Sequence, residues 1–141
     1  MKRNLVLIRH AKSDWSTPGQ PDFDRPLNER GKRDAPMMGQ RLRDKTLVPD
    51  LILSSPAKRA ATTARLIADA TGYSRDNIKW VDRLYHCAAH TFEEVILTAG
   101  LPDEVKTVFL FAHNPGITHF ANETTEAWQI DNIPTCGVVA L

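Results

Sequence analysis

Arg9 and His10 stand side by side directly after the apolar run Leu5–Ile8, and they pair a permanent cation with a ring that can act as nucleophile, base or acid. Residues of the same two kinds follow other apolar runs, Arg59 after the stretch LILSS and His113 after VFLFA. Arginine offers a planar fork that matches phosphate oxygens, and neutral imidazole offers a nucleophilic nitrogen. The residue types therefore predict a site that binds and attacks a phosphoryl group.

Each of these residues has a more ordinary interpretation when it is taken alone. A single histidine after a strand is more often a hydrogen-bonded structural residue than a catalyst, and an arginine in the first turn of a helix is usually a solvated surface residue. The coincidence favours a site, because all of them follow predicted strands in three separate segments of the chain. Two of those segments also open into predicted helices.

The strands that must position these residues are continuous apolar runs at Leu5–Ile8, Leu51–Leu53 and Val105–Ala112, with a further strand predicted at Gly137–Leu141. Continuous rather than alternating apolar residues are typical of strands covered on both faces in a parallel sheet. Residues that follow parallel strands meet at the carboxyl edge of the sheet, where open α/β folds bind their ligands. The predicted fold class is an α/β protein, a three-layer α/β/α sandwich with a mostly parallel central sheet.

Helical patterns lie between these runs. Asn28–Lys45 begins with a residue that can cap a helix, although Pro36 and Gly39 predict a distortion within it. Glu93–Ala99 predicts another helix. By contrast, Asp14–Pro26 is rich in proline, glycine and aspartate, and a loop of that length favours a role beside a site rather than a plain connection.

Two further helices have the same type of predicted start. Ser55 can cap the helix SPAKRAATTARLIADATG, with Pro56 at its first position and Gly72 at its end. Asn114 and Pro115 repeat that arrangement in NPGITHFANE. The unpaired N–H groups at the N-terminus of a helix favour an anion, so both starts add to the predicted phosphoryl site.

Composition narrows the classes of function. A chain of 141 residues with a net charge of +1 predicts one domain over 1–141 and no general nucleic-acid binding. Cys87 and Cys136 have neither CxxC spacing nor the density of a disulfide-rich domain, and no apolar run is long enough for a signal peptide or a membrane span. We therefore expect a cytoplasmic protein. His113 and His119 lack the spacing of metal ligands on one helical face, so no metal site is predicted.

Four segments together resemble one known family, the histidine phosphatase superfamily, and within it the short SixA-like phosphohistidine phosphatases with a phosphoglycerate mutase-like fold. These segments are LIRHAKSDW, DFDRPLNERGKRDA, SSPAKRAATTA and AHNPGI, and the similarity spans nearly the whole chain. An Arg-His pair alone is a weak signal. Its specificity comes from the order of the pair, the SPxxRAxxTA segment and a second histidine after a strand.

The resemblance implies a role for each matching residue. His10 matches the nucleophile that becomes a transient phosphohistidine, while Arg9, Arg59 and a protonated His113 match the groups that hold the phosphoryl oxygens. Ser16 falls where many members place a substrate-binding asparagine. The implied chemistry needs no metal and no organic cofactor.

The general acid is where this sequence departs from the superfamily. Many members carry a glutamate or aspartate shortly after the third strand, but the comparable stretch here reads DRLYHCAAH, with His86 as the candidate acid and Asp82 and Glu93 as distant alternatives. An alkoxide leaving group needs protonation more than the imidazole of phosphohistidine does. Weak acid machinery therefore favours a phosphoramidate or an activated phosphate as the substrate.

Three hypotheses for function follow from these observations. The first is removal of phosphate from phosphohistidine on a protein, such as a histidine phosphotransfer domain. The second is a broad-specificity phosphomonoesterase that acts on small phosphorylated substrates. The third is a non-catalytic domain that binds phosphate without forming a covalent intermediate. None of them involves a nucleic acid or a membrane as partner.

Overall fold

The computed structural model describes residues 3–125 and 129–141. Within these residues one sheet contains five strands, and they are β1 (Asn4–Arg9), β2 (Leu51–Ser54), β3 (Lys79–Trp80), β4 (Thr107–Ala112) and β5 (Val138–Ala140). Their order is β3-β2-β4-β1-β5, and all pairs are parallel except β1 with β5. The predicted mostly parallel sheet is confirmed. The short strand β3 was not predicted, because its two residues are exposed and lie outside any apolar run.

Helices cover both faces of this sheet, namely α1 (Glu29–Asp44), α2 (Lys58–Thr71), α3 (Ala89–Thr98) and α4 (Gly116–Glu123). Val6 and Ile8 of β1 belong to the apolar cluster that contains residues of α1 and α2. Leu7 between them belongs to the cluster that contains residues of α3 and α4. Because successive strand residues point to opposite faces, the sheet lies between two helical layers, and the predicted three-layer fold is confirmed. No helix in the described part of the chain is long and apolar enough to span a membrane.

Helix α1 begins as the sequence predicts. The side chain of Asn28 accepts a hydrogen bond from the backbone N–H of Gly31 at 2.8 Å, which caps the helix. The helix continues through Pro36 without interruption. Gly39 lies where α1 meets α2, and a Cβ atom there would come within 2.6 Å of the Cβ atom of Ala70. Glycine at this position therefore permits a close approach of the two helices.

The predicted start of α2 is wrong by two residues. Ser55 and Pro56 precede the helix, which begins at Lys58 with Ala57 as an N-cap that makes no side-chain hydrogen bond. The Ser55 hydroxyl instead accepts from the backbone N–H of Ala57 at 3.3 Å, within the turn that leads into the helix. The predicted end is confirmed, because Gly72 has a φ of 82°, a left-handed conformation that glycine adopts without a steric penalty.

The other two helices differ from the prediction mainly at their starts. The Asn114–Pro115 pair precedes α4, which begins at Gly116, and Asn114 Oδ1 accepts a hydrogen bond from the Thr118 hydroxyl at 2.6 Å rather than capping the backbone. Helix α3 begins at Ala89, four residues before the predicted Glu93–Ala99, because alanine and phenylalanine in its first two turns are buried against the core.

Candidate active site

A cavity of about 180 Å³ lies at the carboxyl edge of the sheet, and we call it the pocket. Its lining consists of Arg9, His10, Lys12, Ser13, Trp15, Arg25, Arg59, His86, His113, Asn114 and Thr135. The structure therefore brings together the two arginines and two histidines that follow β1, β2 and β4. Two other grooves, of about 280 and 380 Å³, are larger, but neither has a histidine among its described lining residues. Size alone thus does not identify the site.

His10 has one tautomer that its surroundings define. Its Nδ1 lies 2.8 Å from the backbone carbonyl oxygen of Ala11, which can only accept, so Nδ1 carries the proton. The backbone of His10 is also hydrogen bonded. Its N–H donates to the carbonyl oxygen of Ala112, and its carbonyl oxygen accepts from the backbone N–H of Cys136. The lone pair of Nε2 is therefore available as a nucleophile.

The surroundings of His10 also keep its ring neutral. Burial lowers the pKa of His10 to about 4, and the positive charges of Arg59 and Arg9 act in the same direction. The hydrogen bond to the carbonyl of Ala11 opposes these effects but does not outweigh them. At pH 7 the ring is consequently unprotonated at Nε2, which is the state that a nucleophile requires.

This protonation state leads to a testable result. In a titration followed by nuclear magnetic resonance, the ring of His10 is expected to take up its second proton only as the pH falls to about 4. The pKa of His113 is lowered further, to about 2, so its ring is expected to stay neutral throughout the same range. The His10→Ala variant identifies the resonance. A midpoint near the ordinary value of about 6.5 would contradict the assignment of a neutral nucleophile.

His113 is buried directly after β4, with its ring centroid 5.2 Å from that of His10. Its Nε2 lies 2.8 Å from the Ser55 hydroxyl, and its Nδ1 is buried without a hydrogen-bond partner among the described residues. The predicted protonated state is wrong, because burial and the charge of Arg59 lower the pKa of this ring to about 2. His113 is therefore a neutral member of the pocket.

Arg9 and Arg59, the two arginines predicted from the sequence, both contribute positive charge to the pocket. Arg59 is 1 % exposed, and it donates to the backbone oxygen of Asp22 at 2.8 Å and to its carboxylate at 3.0 Å. Arg9 donates to the carbonyl of Ile133 at 2.9 Å, and its pKa is lowered by burial and by the charge of Arg59. Both arginines have a buried Nε with no partner among the described residues. Unpaired donors and like charges at one place favour an anionic ligand.

Asp22 was missed by the sequence interpretation. It lies in a single-turn 3₁₀ helix within the loop that was predicted to flank a site. Its carboxylate accepts from Arg59, from the Tyr85 hydroxyl at 2.6 Å and from His86 Nε2 at 2.8 Å. Burial raises the pKa of Asp22, but these hydrogen bonds and that of Arg25 hold it well below its usual range. Asp22 is therefore an anion, not a general acid.

The structure places His86 in the pocket lining and Ser16 outside it. His86 lines the pocket with its ring centroid 5.1 Å from that of His113, and its φ of 49° is the left-handed conformation that often accompanies a function. Its Nε2 lies 2.8 Å from the carboxylate of Asp22, which can only accept, and 3.3 Å from the guanidinium of Arg59, which can only donate, and the shorter contact favours a proton on Nε2. Ser16 is exposed, lies outside the pocket lining and uses its backbone N–H to bind Asp14.

Arg25 is a third arginine at the pocket and was also missed. It is buried, and it donates to the Ser13 hydroxyl and to Asp22 Oδ1, the latter at 3.1 Å. The ring of Trp15 lies over its guanidinium, with 3.6 Å between the ring centroid and the guanidinium carbon.

No group of three or more His, Cys, Asp or Glu side chains in the described ranges could hold a metal ion. The pocket therefore offers an unprotonated nucleophile beside several cationic donors.

Comparison with known sequences agrees with this chemistry. The sequence model of the histidine phosphatase superfamily (branch 1) matches residues 5–100. An uncharacterized protein of Mycobacterium tuberculosis is 33 % identical over 144 residues, which cover 95 % of this chain and 85 % of that protein. An uncharacterized chloroplast protein of Arabidopsis thaliana is 32 % identical over 123 residues and 82 % of this chain. The chain spans only 56 % of the Arabidopsis protein and 29 % of a 2,3-bisphosphoglycerate-dependent phosphoglycerate mutase of Bifidobacterium longum.

Comparison with solved structures gives the same family. A protein of Agrobacterium tumefaciens described as a SixA phosphohistidine phosphatase matches with a TM-score of 0.85 and 32 % identity, over 100 % of this chain and 91 % of that one. The protein histidine phosphatase SixA complexed with tungstate matches with a TM-score of 0.83 over 97 % of this chain and 86 % of that one, and at 19 % identity it supports the fold alone. With a SixA-like fold and a matching sequence model over more than half of its length, this chain belongs to the histidine phosphatase superfamily.

Proposed function

We propose that this protein is a phosphatase that removes phosphate from phosphohistidine on another protein, through a covalent phosphohistidine intermediate at His10. The observation that carries the proposal is the unprotonated Nε2 of His10 beside Arg9 and Arg59 in one small pocket. The resemblance to SixA proteins supports the same reaction. The substrate and the partner protein are parts of the proposal.

The first step transfers the phosphoryl group to the enzyme. The Nε2 lone pair of His10 attacks phosphorus, and the bond from phosphorus to the substrate imidazole breaks with its electron pair moving to the departing nitrogen. Arg9 and Arg59 neutralise charge on the equatorial oxygens, which is the main task of a protein in phosphoryl transfer. The proton on His86 Nε2, held by Asp22, is our proposed source of the proton that the departing ring takes up.

The second step returns the enzyme to its starting state. A water molecule attacks the phosphorus of the phosphorylated His10, the bond between phosphorus and Nε2 breaks, and its electron pair returns to the ring. The proton lost by water passes to His86, which we propose acts as the acid in the first step and as the base in the second. Inorganic phosphate leaves, and both steps use protein side chains and water.

Two properties of the pocket favour phosphohistidine over a sugar or nucleotide phosphate. Its volume of about 180 Å³ is below the range of about 300–1,000 Å³ that is typical of small-molecule sites, so little more than the phosphoryl group enters it. The acid machinery is also weak, because the Asp22 carboxylate stays ionised and the proton of His86 is bound to it. An imidazole needs less help in leaving than an alkoxide.

Location and domain organisation belong to the same proposal. The thiols of Cys87 and Cys136 are both free, as expected in a reducing compartment such as the cytoplasm. We also propose that residues 1–141 form one catalytic domain, since the strands that precede His10, Arg59 and His113 belong to one sheet.

Phosphate release from a phosphohistidine-bearing phosphotransfer protein tests the function. We expect kcat/KM on that protein to exceed kcat/KM on alkyl phosphomonoesters by at least about a hundredfold, because the esters depend on general-acid assistance that is commonly worth that much. Faster hydrolysis of the esters would instead favour a small-molecule phosphatase. Binding of phosphate without release from any substrate would identify a recognition domain.

A further inference from the structure

Trp15 is an unusual member of the pocket lining. Among the described residues that line the pocket it is the one apolar side chain, while all the others are charged or polar. It is also 74 % exposed, although large aromatic side chains are mostly buried in folded proteins. An exposed aromatic ring at the edge of a polar pocket is typical of a surface that contacts a ligand or partner.

The ring of Trp15 is nevertheless held in place by a contact on one of its faces. One of its faces lies on the guanidinium of Arg25, whose carbon is 3.6 Å from the ring centroid. Arg25 is itself buried and fixed by hydrogen bonds to Ser13 and Asp22. A rigid arginine thus supports the indole, and the opposite face remains available for contact.

The position of Trp15 suits the group that leaves rather than the phosphoryl group. The phosphoryl oxygens require donors, which Arg9, Arg59 and the other polar lining residues supply. Because the pocket is too small for much more, the leaving group must lie towards its mouth, where Trp15 is exposed. The imidazole of phosphohistidine is flat and aromatic, and such rings stack on indole.

We propose that Trp15 is a specificity-determining residue whose free face packs against an aromatic ring in the leaving group. The proposal rests on the proposed function insofar as the ring is the imidazole of phosphohistidine. Trp15 thereby selects phosphorylated compounds with a planar ring next to the phosphoryl group over compounds without such a ring. Its contribution lies in substrate binding, so the change in Trp15 variants is expected in KM rather than in kcat.

The chain offers a matched control in Trp80. This residue is also an exposed indole against an arginine, with its ring 4.8 Å from the guanidinium carbon of Arg65, but it does not line the pocket. Trp80→Ala therefore removes the same kind of side chain and contact elsewhere. Trp15→Phe provides the second comparison, because it keeps a flat ring at the mouth.

The test compares three substrates with wild type, Trp15→Ala, Trp15→Phe and Trp80→Ala. Phosphohistidine and phosphoramidate share the bond between phosphorus and nitrogen, but only phosphohistidine has a ring, and phenyl phosphate places a ring on an ester. Trp15→Ala is expected to raise KM for the two ring-bearing substrates about three- to tenfold, the usual strength of an aromatic pair. Phosphoramidate is expected to be unaffected, Trp15→Phe to restore most of the loss, and Trp80→Ala to change nothing.

Two results would overturn the proposal. Equal losses on all three substrates would mean that Trp15 merely supports Arg25, and unchanged KM for the ring-bearing substrates would mean that the indole contacts no leaving group. Wild-type activity on phenyl phosphate but not on phosphohistidine would refute the proposed function while the phenyl phosphate comparison still tests Trp15. Calorimetric dissociation constants for phenyl phosphate and inorganic phosphate apply the same criterion without turnover.

Discussion

The His10→Ala variant is expected to lose at least about a thousandfold in kcat on every substrate, because removal of the proposed covalent nucleophile leaves only binding and charge neutralisation. The structure gives the physical reason. Nδ1 of His10 is bound to the carbonyl of Ala11 and burial holds the ring neutral, so Nε2 has the free lone pair that we propose attacks phosphorus. Methyl at this position cannot form the bond to phosphorus.

Rapid acid-free quenching of wild type with radiolabelled substrate provides the direct measurement. The label is expected on the protein, stable in base and labile in acid, as for a phosphorylated imidazole, and it is expected to be absent from His10→Ala. His119→Ala is the matched control, because His119 is exposed on α4 outside the pocket. Turnover or label that survives in His10→Ala would refute the covalent mechanism.

The Arg59→Lys variant is expected to show the second large effect, a loss of about a hundredfold to a thousandfold in kcat/KM, which is typical for removal of one preorganised donor to a developing charge. Lysine keeps the positive charge but not the planar fork. The geometry of Arg59 matters here, because its guanidinium is buried and is positioned through two contacts to Asp22.

Arg65→Lys is the control for this prediction, since Arg65 is exposed on the same helix and faces Trp80 instead of the pocket. Melting temperatures of both variants show whether the buried substitution has altered the fold. Rates of Arg59→Lys within about threefold of wild type, with an unchanged melting temperature, would show that charge alone suffices at this position.

Much of the fold could be predicted from sequence because its determinants are local. Continuous apolar runs mark β1, β2 and β4, and Asn28 caps α1 through a hydrogen bond within its own first turn. The start of α2 could not be predicted in the same way. Ser55 has the chemistry of a cap, but its hydroxyl lies against His113, a residue far away in the chain.

The residues of the site also differ in whether local sequence features predict them. Arg9, His10, Arg59 and His113 could be placed together because each follows a parallel strand, and such positions converge. Asp22 could not, because its place depends on contacts of a loop with distant residues. The protonation of His113 was wrong for a related reason, since composition does not reveal how deeply a ring is buried.

The strand order also determines when the site can exist during synthesis of the chain. β4 lies between β1 and β2 in the sheet, so β1 has no parallel partner until residues 107–112 have been made. The apolar strand that precedes His10 must therefore remain unpaired while most of the polypeptide emerges from the ribosome. An unpaired apolar strand promotes aggregation, and we expect shortened chains that end before β4 to be inactive and dependent on chaperones.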